Sequence, residues 1–364
     1  MKLLIYLGHP AHFHLFKNII AHYSKGNGRV YIYSKKKDIL DLLLSNCGYD
    51  YENILPEGRK NGALSIGKGL VKRDAKLYKY TRMIKPDLML GTSTEVAHIS
   101  RLTGTPSLVF NDDDVSVVPY FSYIGCPFAR VIICPASCNM GRWEYKTIHY
   151  TGYQKLAYLH PDVFCPDPVK IEGVIQKNKP YCIIRLVELK AHHDSGIHGM
   201  DDQLVDNIID RVGKNYDVFI SSERGLPDRF KQYQLQLDPL NIHHAIAYSG
   251  IFIGDSQSMV HEAAVLGIPS IRFNDFSGRI GVLEELEHKY ELTYGIKSSE
   301  PRQLLEKIEY LLEYENLQVE WKKRRGKMLS DVINLNKFML WLIDEYPDSV
   351  RTLREDPDYQ YNFK

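Results

Sequence analysis

A short polar segment at residues 254–258 joins an apolar run to a helix and has the residue types of an anion site. Residues 251–253 predict a buried strand, and the helical pattern that follows ends at Gly267. The helix therefore begins at the carboxyl end of a strand, where open α/β sheets bind ligands. Its free backbone amides and a partial charge of roughly +0.5 favour phosphate. Candidate phosphate contacts are Ser256, Gln257, Ser258 and Met259.

Glu262 lies one helical turn after Ser258 and could accept hydrogen bonds from a ribose diol at the same pocket. The alternative is an ordinary βαβ unit whose helix is capped by Ser or Asp. Arg185 ends the first predicted strand of the second half and could neutralise a diphosphate, or could form a surface ion pair.

Candidate acid–base groups follow three strands of the first half. His12, flanked by His9 and His14, follows the first strand, and a histidine near neutral pKa suits a general base. Asp112 lies in the run Asn111–Asp114 after strand 107–110, and Glu95 follows strand 88–90. The alternatives are a histidine that caps the helix, a solvated acidic turn, and a helix cap at Ser93 or Thr94.

The elements that position these residues alternate between strand and helix. Strands near 2–7, 29–34 and 88–90 are separated by helical patterns, and the alternation resumes from residue 181. This predicts an α/β fold with two doubly wound, Rossmann-like domains facing a cleft. Prolines and acids at 161–180 indicate a linker. The expected domains are 1–160 and 181–330, followed by a C-terminal helix and tail at 331–364.

Composition narrows the class of protein. The 364 residues carry 46 Lys and Arg against 45 Asp and Glu, and this balance gives no sign of nucleic-acid binding. No apolar run approaches the ~20 residues of a membrane span. The first strand is too short for a signal peptide, and six scattered cysteines have no zinc-site spacing. We therefore expect a cytoplasmic protein with reduced cysteines and no bound metal.

The 254–273 stretch resembles the donor-site motif of GT-B nucleotide-sugar enzymes. It is similar to the segment that holds diphosphate and ribose in the non-hydrolysing nucleotide-sugar 2-epimerases and in the peptidoglycan N-acetylglucosaminyltransferase, although this chain has Gln257 where those families have glycine. Residues 9–16 and 152–168 resemble an uncharacterised prokaryotic family, domain of unknown function 354, which is grouped with GT-B proteins.

The resemblance implies roles for further residues. His12 corresponds to the histidine of the transferase's Gly-Gly-His loop, and Asp112 corresponds roughly to a catalytic Glu of the epimerases. The segment with Arg224, at another strand end, corresponds to the place where GT-B enzymes read the base. The epimerases also carry a functional histidine in the loop that here holds His192, His193, Asp194 and His198.

A basic stripe runs along the predicted helix at 66–84. Its members are Lys68, Lys72, Lys76, Lys79 and Arg82. Such a stripe could contact anionic lipid headgroups on the inner face of a membrane, or attract a diphosphate-lipid acceptor. A solvated helix face is the alternative.

These observations predict a metal-independent GT-B glycosyltransferase of surface polysaccharide synthesis. Its substrate would be a nucleoside-diphosphate sugar, preferably a UDP-sugar, bound by the 181–330 domain, and it would need no other cofactor. The 1–160 domain would hold the acceptor, a glycan or a lipid-linked intermediate. A nucleotide-sugar epimerase and a non-catalytic nucleotide-sugar or glycan-binding protein remain the alternatives.

Overall fold

The computed structural model describes residues 1–26, 28–37, 39–55, 63–175, 179–188 and 199–364. The chain divides into two compact units. Unit 1 contains Met1–His160 and Ile333–Lys364, and unit 2 contains Pro161–Val332.

Unit 1 is built on a seven-stranded parallel sheet in the order β3-β2-β1-β4-β5-β6-β7. The strands are β1 Lys2–Leu7, β2 Arg29–Lys35, β3 Tyr51–Leu55, β4 Leu88–Gly91, β5 Ser107–Phe110, β6 Val131–Pro135 and β7 Thr147–Tyr150. The helices from the first part of the chain are α1 Pro10–Lys25, α2 Leu40–Asn46, α3 Ala63–Ile84, α4 Thr94–Thr103 and α5 Leu156–Leu159. Strands β1, β4 and β5 are apolar and almost wholly buried, as expected for a parallel sheet covered on both faces.

Unit 2 contains a five-stranded parallel sheet in the order β12-β11-β10-β8-β9. The strands are β8 Tyr181–Leu186, β9 Asp217–Ser222, β10 Ile251–Gly254, β11 Ser270–Phe273 and β12 Thr293–Ile296. The helices are α6 Asp202–Val212, α7 Ile242–Tyr248, α8 Gln257–Val265, α9 Gly281–His288, α10 Pro301–Glu313 and α11 Leu317–Asp331. Helix α8 ends as its sequence predicts, because Gly267 takes a left-handed φ of +76°.

The C-terminal segment returns to unit 1. It forms α12 Leu335–Asp344, α13 Asp348–Glu355 and a 3-10 helix at Pro357–Phe363. The side-chain oxygen of Gln360 accepts a hydrogen bond from the Thr151 amide at 2.6 Å, and the Ile333 amide donates to the Thr151 carbonyl at 3.0 Å. Residues 333–364, which the sequence assigns to a C-terminal helix and tail, therefore belong to the same compact unit as the first sheet. The prolines at 161–180 lie within unit 2.

Candidate functional site

The strand order of unit 2 reverses between β8 and β10, because β9 lies on one side of β8 and β10 and β11 lie on the other. Ligands of doubly wound sheets bind at such a switch point. A hydrogen bond spans this one: the Asp255 carboxylate accepts from the Val187 amide at 2.8 Å. The Asn274 side chain donates to the Asp255 carbonyl at 2.9 Å, which ties the end of β11 to the same turn.

Helix α8 begins directly after this turn. The Ser256 hydroxyl caps it by accepting a hydrogen bond from the Met259 amide at 3.3 Å. Gln257, Ser258 and Met259 are half-buried, in contrast to the helix residues that follow, which are buried. The first turn of α8 therefore has the exposure and the polarity of an anion site at the switch point.

Glu262 lies one turn further along α8 and is buried, with 4% of its surface exposed. Its Oε1 atom lies 3.3 Å from Nε2 of His243 on α7. The two side chains therefore form a buried pair beside the start of α8. The sequence identified Glu262, but it gave no signal that His243 is its neighbour.

The two predicted arginines of unit 2 both contact protein groups. Arg185 on β8 donates to the Ser221 hydroxyl at 2.8 Å and forms an ion pair with Glu223. Arg224 donates to the Met200 carbonyl at 2.7 Å and lies 3.8 Å from Asp202. Arg185 is thus held on the strand next to β10, whereas Arg224 is tied to the start of α6.

Burial raises the pKa of Asp255 to about 6, although the Val187 amide and the charge of Arg224 oppose the shift. Asp255 was part of the polar motif but was not singled out as a site residue. Its position directly after a buried strand was the available signal. Asn274 had none, because its contact depends on how β11 packs beside β10.

A second switch point lies in unit 1 between β1 and β4. The Gly8 amide donates to Nδ1 of His12 at 3.1 Å, so Nε2 carries the proton and donates to the Thr92 hydroxyl at 2.7 Å. Burial, followed by the charges of His9, Lys35 and Lys155, lowers the pKa of His12 well below its ordinary value. His12 is therefore a neutral imidazole with both nitrogens engaged. His9 caps α1 by accepting from the Ala11 amide at 3.1 Å.

The acidic run after β5 joins this cluster through a lysine. Nζ of Lys155 lies 3.3 Å from a carboxylate oxygen of Asp112. Burial, together with the charges of Asp112 and Asp114, raises the pKa of Asp113 to about 7, even though Lys155 opposes the shift. Asp113 thus exchanges a proton near neutral pH, which is where a general base works best.

Lys155 lies in the 152–168 stretch, but its sequence context does not mark it as a site residue. Its side chain is only 6% exposed and its charge acts on both His12 and Asp113. The surrounding apolar residues of α5 gave no indication of this, because a lone lysine in such a segment commonly extends its charged end to water.

Glu95 lies in a buried ion pair in which its Oε1 atom is 2.5 Å from Nε of Arg73. Burial alone would raise the pKa of Glu95, but the charges of Arg73 and Lys35 lower it to about 2. The carboxylate therefore stays ionised and joins α4 to α3.

Three further expectations concern the histidine-rich loop after β8, a bound metal ion and a membrane span. His192, His193, Asp194 and His198 lie outside the described residues. Within the described ranges, no group of three or more His, Cys, Asp or Glu is placed to hold a metal ion. In the same part of the chain, no helix is both long and apolar enough to cross a bilayer.

Comparison with solved structures identifies the fold. The UDP-GlcNAc 2-epimerase of Neisseria meningitidis, bound to UDP-GlcNAc, matches with a TM-score of 0.60 and 15% identity over 89% of this chain and 94% of its own. The glycosyltransferase SsfS6 of Streptomyces sp. SF2575, complexed with thymidine diphosphate, matches with a TM-score of 0.60 and 11% identity over 95% of this chain and 99% of its own. The UDP-GlcNAc 2-epimerase of Methanocaldococcus jannaschii, in complex with UDP-GlcNAc and UDP, scores 0.61 at 14% identity over 90% and 100%.

These matches confirm the predicted α/β fold of GT-B type with two Rossmann-like sheets. The fold is shared by nucleotide-sugar epimerases and glycosyltransferases alike. No family model matches the chain, so the resemblance to domain of unknown function 354 is not confirmed. No curated protein matches it either.

Proposed function

We propose that this protein is a GT-B glycosyltransferase that takes a sugar from a nucleoside-diphosphate sugar, preferably a UDP-sugar, and transfers it to a hydroxyl of a glycan or lipid-linked acceptor. The observation that carries the proposal is the half-exposed first turn of α8 at the switch point of unit 2, with Ser256 as its cap. Structural neighbours of the same fold are bound to UDP-GlcNAc and thymidine diphosphate.

In this proposal unit 2 holds the nucleotide. The amides of Gln257 and Ser258 bind the diphosphate beside the Ser256 cap, which accepts from the Met259 amide. Glu262 accepts from the ribose. Arg185 adds positive charge from the neighbouring strand, and Arg224 lies near the base. Fixed donors of this kind stabilise the negative charge that grows on a leaving diphosphate, and removing one such donor typically costs ~10²–10³-fold in rate.

The proton-accepting group belongs to unit 1. The acceptor oxygen bonds to the anomeric carbon while the bond from that carbon to the diphosphate oxygen breaks, and the hydroxyl proton moves to a carboxylate. Asp113 suits this role because its pKa is about 7. Asp112, beside Lys155, positions it, and His12 orients the loop after β1. Glu95 has a structural role, because its ion pair with Arg73 joins α4 to α3.

The acidic run also favours a second candidate, a nucleotide-sugar 2-epimerase. Such an enzyme removes a proton from one face of the sugar and returns one to the other face, so it needs two groups that can transfer protons. Asp112 lies beside Lys155, whereas the pKa of Asp113 is raised to about 7. Two of the similar structures described above are UDP-GlcNAc 2-epimerases.

Incubation with a panel of UDP-, GDP- and CDP-sugars, with and without glycan and lipid-linked acceptors, separates the candidates by NMR. Release of free nucleotide with a glycosylated acceptor supports transfer. A new stereoisomer still attached to nucleotide would instead establish epimerisation, and binding without turnover would establish a non-catalytic protein. Asp113→Asn should lower turnover ~10²–10⁴-fold. Asp50→Asn, an exposed carboxylate of the same unit, serves as the matched control.

A further inference from the structure

The solvent-facing side of α3 combines basic and apolar side chains. Lys68, Lys72, Lys79 and Arg82 are exposed and Lys76 is partly exposed. Lys68 and Lys79 are separated by 11 residues, close to three helical turns, so they lie on one line along the helix. This side of α3 is not purely polar, because Val71 on the same helix is 67% exposed.

Helical spacing places the apolar residues of α3 on the flank next to α4. Val71, Asp74 and Tyr78 share one face at spacings of three and four residues. Asp74 on this face contacts His98 of α4 at 2.8 Å. Val71 and Tyr78 therefore border the groove between the two helices.

The same groove continues into further exposed apolar groups. A hollow of about 360 Å³ is lined by Asp74, His98, Arg101, Leu102, Ile124 and Phe128. Leu102 at its rim is 68% exposed and Phe128 is 43% exposed. Basic stripe and apolar rim thus form one continuous surface, which we call the α3–α4 face. Its members are Lys68, Lys72, Lys76, Lys79, Arg82, Val71, Tyr78, Leu102 and Phe128.

We propose that the α3–α4 face docks on an anionic phospholipid surface. Lysines near such a surface gain electrostatic attraction, and apolar side chains beside them can enter the headgroup boundary. The exposed apolar groups favour a bilayer over a nucleic acid, which has no apolar layer to receive them. The whole chain carries a formal net charge of only +1, so attraction to an anionic surface must come from local basic clusters such as this face.

Vesicle co-sedimentation tests the proposal without any measurement of activity, so its result is independent of the proposed function. The full chain should bind phosphatidylcholine vesicles that contain phosphatidylglycerol and bind pure phosphatidylcholine vesicles much more weakly. Replacing Lys68 and Lys79 together by Gln should lower the partition coefficient about 30-fold, since each lysine near an anionic surface contributes about a fivefold gain. Salt should weaken binding of the native chain, because it screens these charges.

The matched control replaces Lys322 and Lys323, exposed lysines of unit 2, by Gln and should bind as the native chain does. A second variant, Val71→Ser with Leu102→Ser, keeps every charge and should lose the part of binding that persists in high salt. Equal losses in the control and the Lys68 and Lys79 variant would overturn the proposal. So would the absence of binding to anionic vesicles, including the case in which the chain is retained on a DNA duplex instead.

Discussion

Asp113 is a residue whose chemistry differs from what its sequence context indicates. An acidic run after a strand usually reads as a solvated turn, and only the folded structure reveals that burial and two neighbouring carboxylates raise its pKa to about 7. Lys155 reaches Asp112 from 43 positions further along the chain. The sequence shows where these residues lie along the chain, but it does not show that they contact each other.

The raised pKa of Asp113 predicts how stability changes with pH. The ordinary pKa is 3.8, so between about pH 4 and about pH 7 the folded protein holds a proton that the unfolded chain has released. The stabilisation from this group is complete below about pH 4 and is lost as the pH rises through about 7. Asp113→Asn removes this dependence.

Thermal melting of the native protein and of Asp113→Asn over this pH range measures the effect. The melting temperature of the variant should rise relative to that of the native protein as the pH increases from 4 to 7. A constant difference across the range would contradict the assignment. Asp50→Asn should show no such trend, since Asp50 is exposed.

Glu262 provides a second test at the residue scale. If it accepts from a ribose hydroxyl, Glu262→Ala should weaken UDP binding by about 1–3 kcal/mol, because a buried hydrogen bond is lost. Isothermal titration calorimetry measures the affinity, and Glu306→Ala, an exposed carboxylate of the same unit, is the control.

Because Glu262 pairs with His243, a loss of affinity could also arise from a disturbed fold. His243→Gln disturbs the same pair and leaves the carboxylate in place. Equal losses of affinity in Glu262→Ala and His243→Gln would show that Glu262 does not bind the nucleotide directly.

Among the elements, helix α8 was the best predicted because all of its signals are local. The strand before it, the Ser256 cap and the final Gly267 lie within one short stretch of sequence. Asp228–Tyr233 form a 3-10 helix, whose shorter turns the periodicity of an α-helix does not describe. Strand β12 is hard to predict from sequence, because four residues that include a glycine give little periodic signal.

The contact between α3 and α4 depends on a buried ion pair. The side chains of Arg73 and Glu95 are 10% and 4% exposed. Arg73→Met leaves Glu95 as a buried charge without its cation, and we expect a loss of about 3–5 kcal/mol in the free energy of unfolding. Urea denaturation measures it.

The matched control breaks a pair on the surface. Arg302→Met removes the partner of Glu306, and Arg302 is 92% exposed, so the change should be about 0–1 kcal/mol. Similar losses of unfolding free energy in Arg73→Met and Arg302→Met would contradict the prediction that the buried Arg73–Glu95 pair matters more for stability than the exposed Arg302–Glu306 pair.

At the scale of the whole molecule, strand and helix alternation was enough to predict two doubly wound sheets. The return of residues 333–364 to unit 1 was not predictable in this way, because it depends on contacts such as Thr151 with Gln360, 209 positions apart. Helical periodicity identifies the apolar face of a C-terminal helix but not the sheet that receives it.

In both units a side-chain hydrogen bond crosses the switch point of the sheet. In unit 1 the bond from His12 to Thr92 spans β1 and β4, and in unit 2 the bond from Val187 to Asp255 spans β8 and β10. Each places polar groups where parallel sheets bind ligands. We propose that the nucleotide binds at the second of these points.

Hydrogen exchange of the full chain with and without UDP tests that assignment most directly. UDP should slow exchange of the amides of Gln257 and Ser258, which open α8, and Ser256→Ala should weaken this protection because it removes the cap. If UDP binds by calorimetry and leaves these amides exchanging at the rate of the free protein, the nucleotide lies elsewhere and the central claim is wrong.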